Sequence, residues 1–238
     1  MSKDDWAAEL ILSSVPLRQL GTDKMPIGFA SGCLIDYHYK RLVLTVSHAT
    51  KNQGNWAIEV RGKSGIGTEA YQIGVMMFLE TGNIDTGIVS DVDFSYATVP
   101  STIAPFYNEL SPRGETTVSI PRIIQTLDFE IEPSDSNTYG FSGTTMFSSD
   151  GWFLFAENRL VLDMKFEGKT GDLYKFKLPR KHPGHEYFKG TSGAPIIDSD
   201  GNVVALVCKG DVDDDLIFGV SIKHYKSALD IEVGNFVK

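Results

Sequence analysis

The chain has 238 residues, 42% hydrophobic and 22% charged, with a net charge of −9 and a sequence pI near 5.0. This is length for one or two domains with a substantial core, and the acidic balance argues against non-specific nucleic-acid binding, which needs a basic face. Two cysteines, Cys33 and Cys208, point to a reducing compartment rather than a disulfide-stapled secreted domain, with one long-range disulfide left open. The first residues carry no signal-peptide core, and no window approaches the roughly 18 apolar residues of a membrane span. A cytoplasmic protein with neither nucleic acid nor membrane as partner is therefore expected.

Residues 3–13 are expected to form a short amphipathic helix. Ser2 is a candidate N-cap, Asp4 and Asp5 suit the first turn, and Trp6, Leu10 and Ile11 share a face. Pro16 ends it. From there to about residue 222, short β-type runs are cut by glycine, proline and Asn/Asp clusters. Strands are expected at 27–35, 41–46, 56–60, 71–79 and 94–99, followed by a proline-bearing connection over 100–113. A second set is expected at 116–120, 123–131, 144–147, 152–155, 159–166, 173–178, 195–197, 203–208 and 216–222, with a closing helix within 221–231. Two sets of short strands split near residue 110 predict an all-β fold of two small antiparallel barrels or sandwiches.

One stretch stands apart: Lys189-Gly190-Thr191-Ser192-Gly193-Ala194-Pro195. Its glycines let the backbone turn sharply and bring N–H groups close to a ligand, as a nucleophilic serine with an oxyanion hole requires. The same pattern also occurs in ordinary turns. A nucleophile needs a base and a carboxylate to orient that base. Of the five histidines, His38, His182, His185 and His224 lie in turn-like or charged surroundings. His48 instead follows the apolar run Leu42-Val43-Leu44-Thr45-Val46 and is flanked by Ser47 and Ala49. Asp93 opens the apolar strand Phe94-Ser95-Tyr96-Ala97, with Asp91 as its rival.

The segments Leu44-Thr45-Val46-Ser47-His48-Ala49, Asp93-Phe94-Ser95-Tyr96-Ala97 and Gly190-Thr191-Ser192-Gly193-Ala194-Pro195 resemble the three signatures of trypsin/chymotrypsin-like serine proteases, in the same order and at fitting spacing. The resemblance implies two six-stranded antiparallel β-barrels with a short N-terminal and a C-terminal helix. The implied division is 1–14 (helical extension), 15–110 (first barrel, with His48 and Asp93), 111–222 (second barrel, with Ser192) and 223–238 (C-terminal helix and tail). It implies a serine endopeptidase acting on a protein or peptide, with Ser192 as nucleophile, His48 as general base, and Asp93 orienting the imidazole. The N–H groups of Gly190 and Ser192 would form the oxyanion hole, and no metal or cofactor is expected. The same alignment places Glu186 at the floor of a substrate pocket, Cys208 and Gly210 along the substrate-pairing strand, and Gly219 on the far wall. A glutamate floor would favour Arg or Lys at P1; a one-residue slip would put Tyr187 or His185 there instead.

Departures from the family pattern set further expectations. Thr191 replaces the aspartate that pairs with a new N-terminus in zymogens, so that activation switch is expected to be absent. Control would then come from something else: loop ordering, a regulatory protein partner, or substrate-driven closure. Cys208 stands where a serine commonly bonds the triad aspartate, and a thiol is the weaker donor. Ser95 replaces a small apolar residue. The acidic loop Asp211-Val212-Asp213-Asp214-Asp215 either binds a cation or is simply solvated. The alternative function is a catalytically silent protease-like protein that binds a peptide or protein partner in the inter-barrel cleft.

Overall fold

The computed structural model describes residues 2–51, 54–61, 68–83, 85–110, 116–150 and 153–234. The first helix, α1 (Lys3–Ser13), begins as its sequence dictates: the Ser2 hydroxyl accepts from the Asp5 N–H at 3.1 Å, and Trp6 and Leu10, one turn apart, are buried.

The first β-unit comprises β1 (Val15–Leu20), β2 (Pro26–Tyr37), β3 (Lys40–Thr45), the one-turn helix α2 (Ser47–Thr50), β4 (Asn55–Arg61), β5 (Thr68–Gln72), β6 (Met77–Asn83) and β7 (Ile88–Val99). These strands form a seven-stranded antiparallel sheet in the order β5-β4-β1-β2-β3-β7-β6. Leu34 and Val43 point to one core with Trp56 and Ile58 of β4 and Ala97 of β7. Strands this far apart in the order share a core only because the sheet curls round it. The alternate residues Cys33, Ile35, Leu42 and Leu44 enter a second core on the opposite face. Burial on both faces explains why β2 and β3 read as continuous apolar runs.

The hairpin β8 (Phe106–Leu110) and β9 (Thr116–Pro121) precedes the second unit. That unit is β10 (Tyr139–Asp150), β11 (Phe153–Thr170), β12 (Leu173–Lys177), β13 (Pro195–Asp198), β14 (Val203–Asp211) and β15 (Leu216–Ser221). It is a closed barrel in the order β10-β11-β12-β15-β14-β13, filled by Phe141, Phe176, Ile196, Ala205 and Ile217. A turn of 3₁₀-helix (Lys223–Tyr225) leads into α3 (Lys226–Glu232). Helix α1 lies on this barrel, where Gly140 makes room: a Cβ there would stand 2.7 Å from Leu10 Cδ1. The all-β architecture with a helix near each end is thus as expected.

The second face of the first sheet meets the barrel through Cys33, Leu44, Phe94, Leu206 and Tyr225, all in one buried cluster. Phe94 and Tyr225 stack with centroids 3.6 Å apart and planes 7° from parallel, an aromatic pair of the kind worth roughly 0.5–1.5 kcal/mol beyond its burial. This shared core fixes the two units against each other and so sets the cleft between them.

Several local expectations are corrected. The run 71–79 is two strands, because Ile73 turns inward, 4% exposed, while Val75 is 80% exposed. The run 123–131 makes no strand. It touches the sheet through one bridge, with Gln125 N–H donating to Leu34 O at 2.8 Å and Gln125 O accepting from Asp36 N–H at 3.1 Å, and its apolar Leu127 and Phe129 serve packing instead. The connection 100–113 contains β8. Strand β1 was not expected, because Pro16 reads as a breaker. It is tolerated because β4 pairs only with Leu17–Leu20, leaving Pro16 beyond the doubly paired part. Trp152 and residues 111–113 lie outside the described residues.

Candidate active site

Strand β3 ends at Thr45, and the chain turns at once into α2, which carries Ser47 and His48. Strand β7 runs antiparallel beside β3, with Thr45 opposite Ser95, so Asp93 arrives next to α2. The buried hydroxyls of Thr50 and Ser95 meet at 2.9 Å. Ser95, unexpected in sequence, is thus the clip that holds the helix to the strand.

Four donors converge on the Asp93 carboxylate. Oδ1 accepts from Ser47 Oγ at 3.0 Å and from the His48 backbone N–H at 2.9 Å. Oδ2 accepts from His48 Nδ1 at 2.7 Å and from the Cys208 thiol at 2.8 Å. Burial pushes the Asp93 pKa up, but the bonds from His48 and Cys208 outweigh it and hold the carboxyl at about 2. An ionised carboxylate only accepts, so Nδ1 carries the imidazole proton and Nε2 is left as the acceptor. Nε2 faces Ser192 Oγ at 3.0 Å. The rival Asp91 is instead an exposed partner of Lys51, at 2.6 Å.

Ser192 stands on a loop ordered from both sides. Phe188 to Thr191 form a turn closed by Thr191 N–H donating to Phe188 O at 3.0 Å. Lys189 has φ −62 and ψ 119, and Gly190 has φ 101, the pattern of a type II turn, which demands glycine at the third position. A Cβ on Gly190 would also lie 2.6 Å from Thr144 O. The Thr191 side chain, 1% exposed, caps the turn by donating to Phe188 O at 2.8 Å. From the first unit, Ser31 of β2 reaches across: its N–H donates to Ser192 O at 2.9 Å, and its hydroxyl donates to Gly190 O at 2.8 Å while accepting from Thr144 N–H at 3.1 Å. Among the described residues no acceptor meets the N–H of Gly190 or of Ser192.

Beside Ser192 lies a cavity of about 280 Å³ lined by Phe188, Val207, Cys208, Gly210, Ile217 and His182, with Glu186 at its edge. Glu186 is no buried floor: its side chain is 87% exposed and pairs with Lys189 at 3.5 Å, because the 3₁₀ turn His185–Phe188 rotates it outward. Gly219 is no wall either. A Cβ there would point into the barrel, 2.7 Å from both Ala205 and Ile196. Gly210 does border the cavity, and Cys208 sits between cavity and Asp93. Both cysteines are free and buried. The ligating atoms of His48, Asp93 and Cys208 lie within 4.8 Å of one another; these are metal-ligating residue types, here joined by hydrogen bonds that carry protons on Nδ1 and Sγ.

The sequence matches no family model and no curated protein, whereas the fold matches solved structures closely enough to place it. A serine endoprotease from Yersinia pestis aligns with a TM-score of 0.56 at 10% identity, over 99% of this chain and 66% of the other. Neuropsin, a serine protease expressed in the limbic system of mouse brain, aligns at 0.58 and 12% identity, over 94% and 96%. HL collagenase aligns at 0.54 and 14% identity, over 97% and 96%. The chain has the chymotrypsin-like serine protease fold.

In this chymotrypsin-like frame, two site residues escape sequence reading. Ser31 lies in the small-residue run Ala30-Ser31-Gly32, which marks only a close approach; what approaches is 159 residues away. His182 sits in a segment that reads as a polar turn, yet it is 4% exposed. The Pro183-Gly184 pair was the available signal, since Gly184 N–H turns back onto His182 Nδ1 at 3.0 Å. No helix among the described residues is long and apolar enough to cross a membrane.

Proposed function

We propose that the chain is a serine endopeptidase that hydrolyses peptide bonds of a protein or peptide through an acyl-enzyme. The observation that carries this reading is the continuous chain Ser192 Oγ–His48 Nε2 at 3.0 Å and His48 Nδ1–Asp93 Oδ2 at 2.7 Å. A carboxylate that stays ionised, an imidazole with its free nitrogen aimed at a hydroxyl, and a small-residue turn form the constellation for acyl transfer.

Ser192 Oγ attacks the scissile carbonyl as its proton passes to His48 Nε2. The resulting imidazolium is stabilised by Asp93, which also keeps the ring from rotating. Negative charge develops on the carbonyl oxygen, where the N–H groups of Gly190 and Ser192 donate to it. Removing one such donor typically costs ~10²–10³ in turnover. His48 then returns the proton to the leaving amine, and water repeats the sequence to release the acid. The type II turn supports an oxyanion loop formed in the resting protein, with Ser31 and Thr191 in place of an N-terminal insertion.

The test is labelling with a fluorophosphonate probe. Ser192 is expected to react covalently, and His48→Ala and Ser192→Ala to abolish the adduct. A folded wild type that takes up no probe would overturn the reading and favour a silent binder in the cleft.

A further inference from the structure

The cavity beside Ser192 is bordered by one buried polar side chain with an unpartnered atom that nothing in the catalytic chain uses. The His182 ring is 4% exposed. Its Nδ1 accepts from the Gly184 N–H at 3.0 Å, so the ring is neutral and the proton sits on Nε2. Burial and the neighbouring His185 push its pKa down, in keeping with the neutral form. Nε2 is buried and meets no acceptor among the described residues. A buried donor without a partner is a standing cost, and the residue that carries it lines the cavity that Ser192 shares.

Gly210 keeps the space beside this nitrogen clear, since a Cβ there would be 2.5 Å from His182 Nε2. The residue is held firmly, with its backbone N–H on Asp215 Oδ1 at 2.8 Å and its ring edge-to-face with Phe188, centroids 5.1 Å apart. Phe188, Val207 and Ile217 supply apolar wall, and His185, Glu186, Lys189 and Lys209 also border the cavity, Glu186 and Lys189 as an exposed pair with side chains 87% and 76% accessible. The pocket therefore offers apolar wall that accepts a stem, and one buried donor left without an acceptor.

We propose that His182 is the specificity residue of this pocket and that it selects a P1 side chain ending in an amide, Gln or Asn, through an Nε2–H···O=C bond. The proposal rests on the endopeptidase reading of the Ser192 site and names its substrate class. A basic P1 group would bring donor against donor. A carboxylate would enter beside a neutral ring whose backbone already holds Asp215, with Asp211 also near enough to act on it. An apolar P1 group would fill the slot but leave Nε2 orphaned. A site built to hydrogen-bond a substrate rejects analogues lacking that group for this reason.

Two measurements test the proposal. In the wild type, kcat/KM on peptides differing only at P1 is expected to favour Gln or Asn over Met, Leu, Glu and Arg by about 10- to 100-fold. His182→Leu, and independently Gly210→Ala, should collapse the amide-to-Met ratio toward unity. In Ser192→Ala protein, product peptides ending in Gln or Asn should bind at least about tenfold tighter than those ending in Met and shift the His182 Nε2–H resonance. A preference for Arg, Leu or Glu, or an amide preference that survives both substitutions, overturns the proposal. Because the binding arm needs no chemistry, it separates the fates of the two readings. An unlabelled wild type that still binds amide-ended peptides through His182 would sink the protease and keep the pocket; a labelled protein blind to the amide would do the reverse.

Discussion

The Ser31 hydroxyl donates to the Gly190 carbonyl at 2.8 Å. A strand of the first sheet thereby holds the Gly190–Thr191 peptide unit of the Ser192 loop. Ser31 is fully buried, and its hydroxyl also satisfies the Thr144 N–H, so it is pinned before substrate arrives. Ser31→Ala is expected to free the Gly190 peptide and to orphan the Thr144 N–H. Fluorophosphonate reactivity and kcat should fall by roughly tenfold or more, with KM little changed, and stability should fall by about 1–3 kcal/mol. Single-turnover kinetics and denaturant unfolding on one preparation check this; loss of stability with full reactivity would make Ser31 merely structural.

Gly190→Ala strikes the same loop directly. At φ 101 an L-residue is strained, and its Cβ would stand 2.6 Å from Thr144 O. The turn must flip or shift, carrying the Gly190 N–H away from the oxyanion position. Acylation is expected to slow by about 10²–10³, measured by probe labelling, while circular dichroism retains the β signal.

Asp93 and Asp91 are separated by their partners, though only two residues apart: Asp93 meets His48 Nδ1 at 2.7 Å. Asp91 is an exposed partner of Lys51, and such pairs are worth about 0–1 kcal/mol. Asp91→Asn is expected to change kcat by less than about twofold on that ground. Asp93→Asn, which lets the imidazole take the wrong tautomer, should lower kcat by about 10⁴. Peptide hydrolysis assays on the two variants decide between them.

Asp93 also links stability to pH. Its folded pKa, about 2, lies below the ordinary 3.8. A depressed carboxylate contributes stability that is fully present above the unfolded value and is lost as pH falls through the folded one. The contribution is about 2 kcal/mol at neutral pH, disappearing between about pH 4 and pH 2. Urea unfolding of wild type and Asp93→Asn across that window should show the two curves converging at the acid end.

The thiols are predicted to be inert in the native state. Burial pushes Cys33 up to about 12, and burial with the Asp93 carboxylate pushes Cys208 well above the ordinary thiol value. Native protein at pH 8 should react with iodoacetamide on the order of 10³-fold more slowly than unfolded protein, a difference mass spectrometry reads directly.

The residues His48, Asp93 and Ser192 were legible because each lies in a local pattern: a histidine ending an apolar strand, an aspartate opening one, a serine among glycines. The capped helix α1 and the doubly buried strands β2 and β3 were legible for the same reason, since N-caps and apolar periodicity are properties of neighbouring residues. The run 123–131 misled because apolar content serves packing and pairing alike, and only the positions of other strands decide which. Glu186 misled because residue spacing does not show which way a 3₁₀ turn aims its side chain. Ser31 and His182 were invisible because their partners, Gly190 across 159 residues and the space left by Gly210, exist only once the two β-units have met. Sequence thus carried the chemical groups and the local turns that present them. Tertiary structure decided which carboxylate meets the imidazole, which hydroxyl holds the Ser192 loop, and which buried donor is left without an acceptor beside the cavity, since each of these depends on the shared core that sets one unit against the other.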